Sequence, residues 1–147
     1  MSSHEDVDNG CFRLVAAALP DADTKYNLDK PPRVGGGGYV NVKRGESVLI
    51  DTELGQLRYI YERKVPVVVM GYESAALTRE EVVDRMLVSI GEAVEQNRRL
   101  TFSGIDRCDW LDVDVPDPDD AETTGAETVG GALFYFVVTY GTANPLT

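Results

Sequence analysis

Histidine is almost missing from this 147-residue chain: His4 is the only one. Ser-His-Asp and Cys-His catalysis need a positioned imidazole, and zinc sites draw on several His or Cys ligands. His4 falls in an N-terminus expected to be mobile, so neither constellation is expected in the folded body. Cysteine is scarce as well. Cys11 and Cys108 lie far apart and belong to no C-x-x-C pair, and they read as reduced, mostly buried thiols. Long hydrophobic runs are absent; Val67 to Met70 is far too short to cross a bilayer. The acidic, polar start lacks a basic stretch followed by an apolar one. No secretory signal is expected, and the chain should fold in a cytoplasm.

Positive charge is also short, with 14 Lys and Arg against 25 Asp and Glu, a net charge of −11. Eight of those carboxylates fall between Asp109 and Glu127, where no Lys or Arg stands; the rest of the chain is nearly balanced. Phosphate binding rests on Lys and Arg, so an acidic chain is a poor general nucleic-acid binder. It could still enclose DNA, because a repulsive lining lets a polyanion slide past.

A hydrophobic share of 43% supports a real core, and the length suits one domain, taken as residues 1–147. Phe12, Val15, Ala16 and Leu19 recur at helical spacing. Asp8 or Asn9 can cap that helix, and Pro20 follows it. Residues 20–37 read as irregular. Gly35 to Gly38 invite a phosphate-loop reading, but no G-K-[ST] and no helix follow. A linker or a close backbone approach fits better.

Tyr39 to Val42 alternates like a strand, with Val40 and Val42 on one face. Residues 44–57, with Val48-Leu49-Ile50 and then Gly55, read as a protruding hairpin or contact arm. Arg58 to Tyr72 carries the strongest strand pattern. Its first half alternates with charges. Its second half is apolar on both faces, which implies cover on both sides. Pro66 cannot donate to a ladder and implies an edge or a bulge. Thr78 and Glu81 have capping-box spacing, and Val82, Met86, Ile90 and Val94 form an apolar stripe; a helix is expected over 78–97. Leu111, Val113 and Val115 alternate with Asp112 and Asp114, with Trp110 on the Asp side. Ala132 to Tyr140 is apolar on both faces and reads as a central strand. Between these two strands, residues 116–131 form an acidic loop too rich in Pro, Asp, Glu and Gly to pack. The unalternated order of helices and strands argues for an α+β fold, with a mixed, mainly antiparallel sheet and two helices packed on it.

Candidate chemistry is thin. The run Asp112, Asp114, Asp117, Asp119 and Asp120 suggests a hard cation, but Pro116 and Pro118 break any EF-hand register and the flanks are strands. A carboxylate pair for glycoside hydrolysis lacks an aromatic cleft; Trp110 is the one Trp. No catalytic, cofactor-binding or metal-ligating residue is assigned, and no cofactor is expected. Six of the seven tyrosines stand in expected strands. Sheet propensity explains that, and so does Tyr enrichment at subunit contacts. Arg58, Tyr59, Tyr61 and Arg63 are the candidate subunit or tube contacts, because that half of the strand has a polar face.

From Tyr39 onward the order of segments resembles the tail terminators of long-tailed phages and the related proteins of alphaproteobacterial gene transfer agents. The matching pieces are Gly38 to Val42, Tyr59 to Met70, Thr78 to Asn97, Leu100 to Gly104, and Cys108-Asp109-Trp110 through Tyr140. The stretch Leu100 to Gly104 is longer than the family's usual tight turn. Order and spacing carry the resemblance, over about three quarters of the chain.

The resemblance implies a non-enzymatic virion protein. It implies a homohexameric ring that caps the tail tube, stops tube polymerisation and meets a head–tail stopper or neck protein on its other face. Genomic DNA would pass through the lumen without sequence-specific binding, and no membrane is involved. Such particles are assembled in the host cytoplasm. A head–tail stopper or other neck adaptor is the alternative, and a small enzyme or metal-binding protein a third.

Overall fold

A computed structural model of the chain describes residues 2–27, 38–55, 57–71, 78–99, 108–115 and 131–146. Two helices and six strands follow in the order α1 (Ser3–Ala18), β1 (Asp23–Tyr26), β2 (Tyr39–Val42), β3 (Glu46–Glu53), β4 (Arg58–Met70), α2 (Arg79–Gln96), β5 (Cys108–Asp114) and β6 (Gly131–Thr142). The acidic segment 116–130, Leu100 to Gly104, Tyr72 and Gly35 to Gly37 lie outside the described residues.

The strands form one sheet in the order β1-β2-β4-β6-β5, with β3 also paired to β4. Only β1 and β2 run parallel; every other pair is antiparallel. The fold is therefore α+β with a mixed, mainly antiparallel sheet. β4 is the spine. Along one side it pairs with β6, from Tyr59 opposite Thr142 to Met70 opposite Gly131. Along the other side it pairs first with β3 and then with β2.

That arrangement corrects the edge-or-bulge reading of Pro66. β4 has neighbours on both sides, and Pro66 stands where one partner strand has ended and the next has not begun. The Lys43 N–H donates to the Pro66 carbonyl at 2.8 Å. In an antiparallel pair a residue's N–H and C=O point the same way, so the missing proline donor faces Lys43 in the β2–β3 break, and the one reciprocal bond it forfeits lies outside both ladders.

The first helix starts earlier than its apolar spacing implies. Ser2 is its N-cap, accepting from the Glu5 N–H at 3.2 Å, and Glu5 and Asp6 lie in the first turn. Asp8, expected as a cap, is instead buried one turn further in. The buried face is Val7, Cys11, Leu14 and Val15, with Phe12 half buried. α2 agrees closely with its expected bounds. Thr78 caps it by accepting from the Glu81 N–H at 3.3 Å, and Val83, Met86, Ile90 and Val94 face inward.

Both helices pack on the same face of the sheet, against Val40, Val42, Val65, Val67, Val69, Leu111, Phe134, Phe136, Val138 and Tyr140. The opposite face holds a smaller cluster of Val68 and Leu133, flanked by Met70 and Tyr135. β4 and β6 are thus apolar on two faces, as read, but the helices cover only one. At the mouth of β2, Gly38 has φ +88, and a Cβ there would lie 2.7 Å from the Met86 sulfur. The last glycine of the run serves a close approach between sheet and α2. β1 falls in a stretch read as irregular. Its residues, Asp-Thr-Lys-Tyr, carry no apolar alternation, and the pairing with β2 alone makes it a strand.

Candidate functional site

The described residues bring one dense polar group together, at the root of the β3–β4 hairpin. Asp8 of α1 and Arg63 of β4 form its centre. The Arg63 Nε donates to Asp8 Oδ1 and its Nη2 to Asp8 Oδ2, both at 2.8 Å. Both side chains are almost fully buried, at 5% and 1% exposure. Arg63 shares its strand parity with Val65, Val67 and Val69, so it points toward the helices. The Asp8 carboxylate also accepts from the Tyr26 hydroxyl at 3.1 Å and from the Gly45 N–H at 3.3 Å. A side chain on Gly45 would come within 2.8 Å of the Lys64 carbonyl; only glycine lets the backbone turn there close enough to reach Asp8. Burial by itself would lower the Arg63 guanidinium, but the hydrogen bonds and charge of Asp8 outweigh it, and its pKa is raised.

A directed hydrogen-bond chain runs outward from this pair. The Arg63 Nη1 donates to Ser47 Oγ at 2.8 Å, and Ser47 Oγ lies 2.7 Å from the Tyr140 hydroxyl. Tyr140 in turn meets His4 Nδ1, and His4 Nε2 lies 3.0 Å from the Pro145 carbonyl. A carbonyl only accepts, so Nε2 carries a proton, and in the tautomer protonated there alone Nδ1 accepts from Tyr140. Tyr61 stacks on Tyr140 at 5.9 Å, and His4 sits edge-on to both rings. Burial pushes the Tyr140 hydroxyl up from its ordinary value, and the Tyr26 hydroxyl rises through burial and then Asp8.

His4 is thus part of the folded body, which corrects the expectation of a mobile N-terminus with no imidazole inside the fold. The Ser47 oxygen is 3.4 Å from His4 Nδ1, yet its better partners are Arg63 and Tyr140. The group ties α1, β3, β4, β6 and the residues after β6 at one point. It does the work of a clamp.

Beyond the clamp, the hairpin is bare. Val48 is 64% exposed, Leu49 49%, Ile50 51%, Leu54 84% and Leu57 55%. A bulge between Leu49 and Asp51 bends β3. Among the described residues no strand pairs with its second edge. Arg58, where the hairpin returns, donates to both Asp109 carboxylate oxygens at 2.9 and 3.0 Å and lies 3.9 Å from Glu53.

The four residues singled out by sequence therefore separate. Arg58 and Tyr59 flank the hairpin at partly exposed positions, Tyr61 packs on the clamp, and Arg63 lies within it. Asp8, Ser47, His4 and Tyr140 were not singled out. The one signal in the sequence is Arg63's place on the Val65–Val69 parity, which puts its side chain on their face without saying that the face is covered or by which acid.

A second surface is an apolar groove of about 250 Å³ between α2 and the β5–β6 edge, lined by Leu87, Ile90, Val113, Val115 and Phe134 among others. Trp110, 49% exposed, lies on the Asp side of β5 as read, with the Arg98 guanidinium 5.3 Å over its ring. Among the described residues no three His, Cys, Asp or Glu converge as a metal site, and no helix is long and apolar enough to cross a membrane.

No protein-family model matches the chain, and no curated protein matches it by sequence. Solved structures do. The chain is similar to the sheath/tube terminator of an extracellular contractile injection system, PVC, in its extended state. The TM-score is 0.53 at 13% identity, over 97% of this chain and 60% of that one. It is also similar to the tube-terminating cap of the anti-feeding prophage, with a TM-score of 0.49 at 14% identity, over 99% of this chain and 58% of that one. The chain therefore spans about three fifths of the length of each. At such identity the likeness to the PVC terminator is one of fold.

Proposed function

We propose that this chain is a tail-terminating structural subunit. Copies of it close into a homohexameric ring on the last ring of tube protein. One face of the ring copies the tube's docking surface and the other does not, so polymerisation stops without any turnover. The outer face meets a stopper or neck protein, and DNA passes through the lumen untouched by specific contacts. The protein's place is the head end of the tail in the finished particle, assembled in the host cytoplasm. The observation that carries this reading is the fold shared with a sheath/tube terminator over nearly the whole chain. The terminator-like order of segments from Gly38 to Tyr140 supports it independently. A ring follows from a heterologous interface whose rotation closes.

Particles made without the chain test the reading. Overlong, headless tails are the expected result. Filled heads that leak while tails keep their length would mark a stopper instead, and tails of normal length on intact particles would refute both.

A further inference from the structure

We infer that the residues after β6 act as a strap on β3: Pro145 held against His4 keeps the exposed Val48–Ile50 stretch fixed, and its release loosens that stretch. This is a conformational device of the fold and stands apart from the terminator reading.

Both ends of the strap are surface features. Residues 143–146 are exposed, and the Pro145 carbonyl lies 3.0 Å from His4 Nε2. At the other end, Ser47 directly precedes Val48, Leu49 and Ile50, all exposed. His4, Tyr140 and Ser47 join the two ends in a line of hydrogen bonds, and Tyr140 in its middle is buried.

The directions of the bonds make this line act together. Arg63 Nη1 only donates, so Ser47 Oγ accepts there. The Pro145 carbonyl only accepts, so His4 donates there. With Nδ1 accepting from Tyr140, the Tyr140 oxygen takes the Ser47 proton. Each hydroxyl then gives one bond and takes one, and such bonds strengthen one another. Without the His4 acceptor, the Tyr140 proton has only Ser47 Oγ left in the line, and the Ser47 proton is stranded in turn. The disturbance thus arrives one residue from Val48.

That is where β3 is weakest. Among the described residues, β3 is paired through β4 alone, and its register shifts between Leu49 and Asp51. A bulge interrupts the ladder locally, so the side-chain anchor at Ser47 carries more of the hold on the next three residues.

Hydrogen exchange read by mass spectrometry on the full chain tests this. His4→Phe keeps a ring against Tyr61 and Tyr140 and keeps water out, but offers no acceptor and no donor. Tyr140→Phe deletes the middle hydroxyl and keeps the ring, and Ser47→Ala cuts the line at β3 itself. In each variant the amides of residues 46–53 should exchange about threefold to tenfold faster than in wild type, while those of α2 keep the wild-type rate. His4→Phe/Ser47→Ala should be no faster there than Ser47→Ala, because the line is already cut. Faster exchange in His4→Phe confined to residues 143–146, or found nowhere, overturns the inference. So do additive effects in the double variant, which would make the two ends independent. Equal acceleration in α2 also overturns it, since the line would then support the fold as a whole and not β3 in particular.

Discussion

At the scale of single residues, Asp8 and Arg63 matter most. Two opposite charges out of water are costly, and the pair is tolerable because each oxygen and each facing nitrogen has a partner. Asp8→Ala would leave the Arg63 guanidinium buried and uncompensated. The expected cost is about 3–5 kcal/mol, read from the urea-unfolding midpoint. Asp8→Leu combined with Arg63→Met should be clearly more stable than Asp8→Ala, because an apolar pair leaves no stranded charge. The sequence placed Arg63 at a contact surface because alternation reports parity, and parity does not say which face the helices will cover. Asp8 looked like a helix cap for a related reason: an Asp near a helix start is a cap far more often than a buried partner.

At the scale of elements, local signals decided more. The Thr78–Glu81 spacing and the stripe Val82, Met86, Ile90 and Val94 specify α2 almost by themselves, since cap, N-terminal charge and period agree, although Val83 and not Val82 is the fully buried first member. Thr78→Ala should cost about 1 kcal/mol, measured by thermal or urea unfolding, and leave the rest of the fold intact. The strands of the spine were legible through their apolar runs. β1 was not, because it borrows its hydrogen bonds from β2 and has no hydrophobic pattern of its own. The hairpin lies between these cases. Two strand-like stretches around Gly55 suggested it, but its bareness depends on where the sheet stops, which lies several residues beyond any local window.

At the scale of the whole molecule, three tyrosine hydroxyls set an alkaline limit: those of the buried Tyr39 and Tyr140 and of the more exposed Tyr26. Burial raises the hydroxyls of Tyr26, Tyr39 and Tyr140 above their unfolded value of about 10. A raised folded-state pKa contributes stability that is present below the unfolded pKa and lost as pH rises through the folded one. The unfolding midpoint should therefore hold from pH 8 to about 10 and fall beyond it. Tyr140→Phe should blunt that fall. A midpoint that declines equally in both proteins would count against the buried hydroxyls as its cause.

The amino-acid sequence alone determined the fold class, the spine strands, α2 and the lean chemical inventory. Composition, hydrophobic period and capping residues act over a few neighbours and need no knowledge of the rest. Only the tertiary structure decided that both helices share one sheet face, that His4 and Asp8 belong to a clamp beneath the hairpin, and that Val48 to Ile50 stand in the open. Each of these joins residues tens of positions apart. Such pairings depend on which face of the sheet is covered and which edge is left over, and a linear pattern carries no record of either.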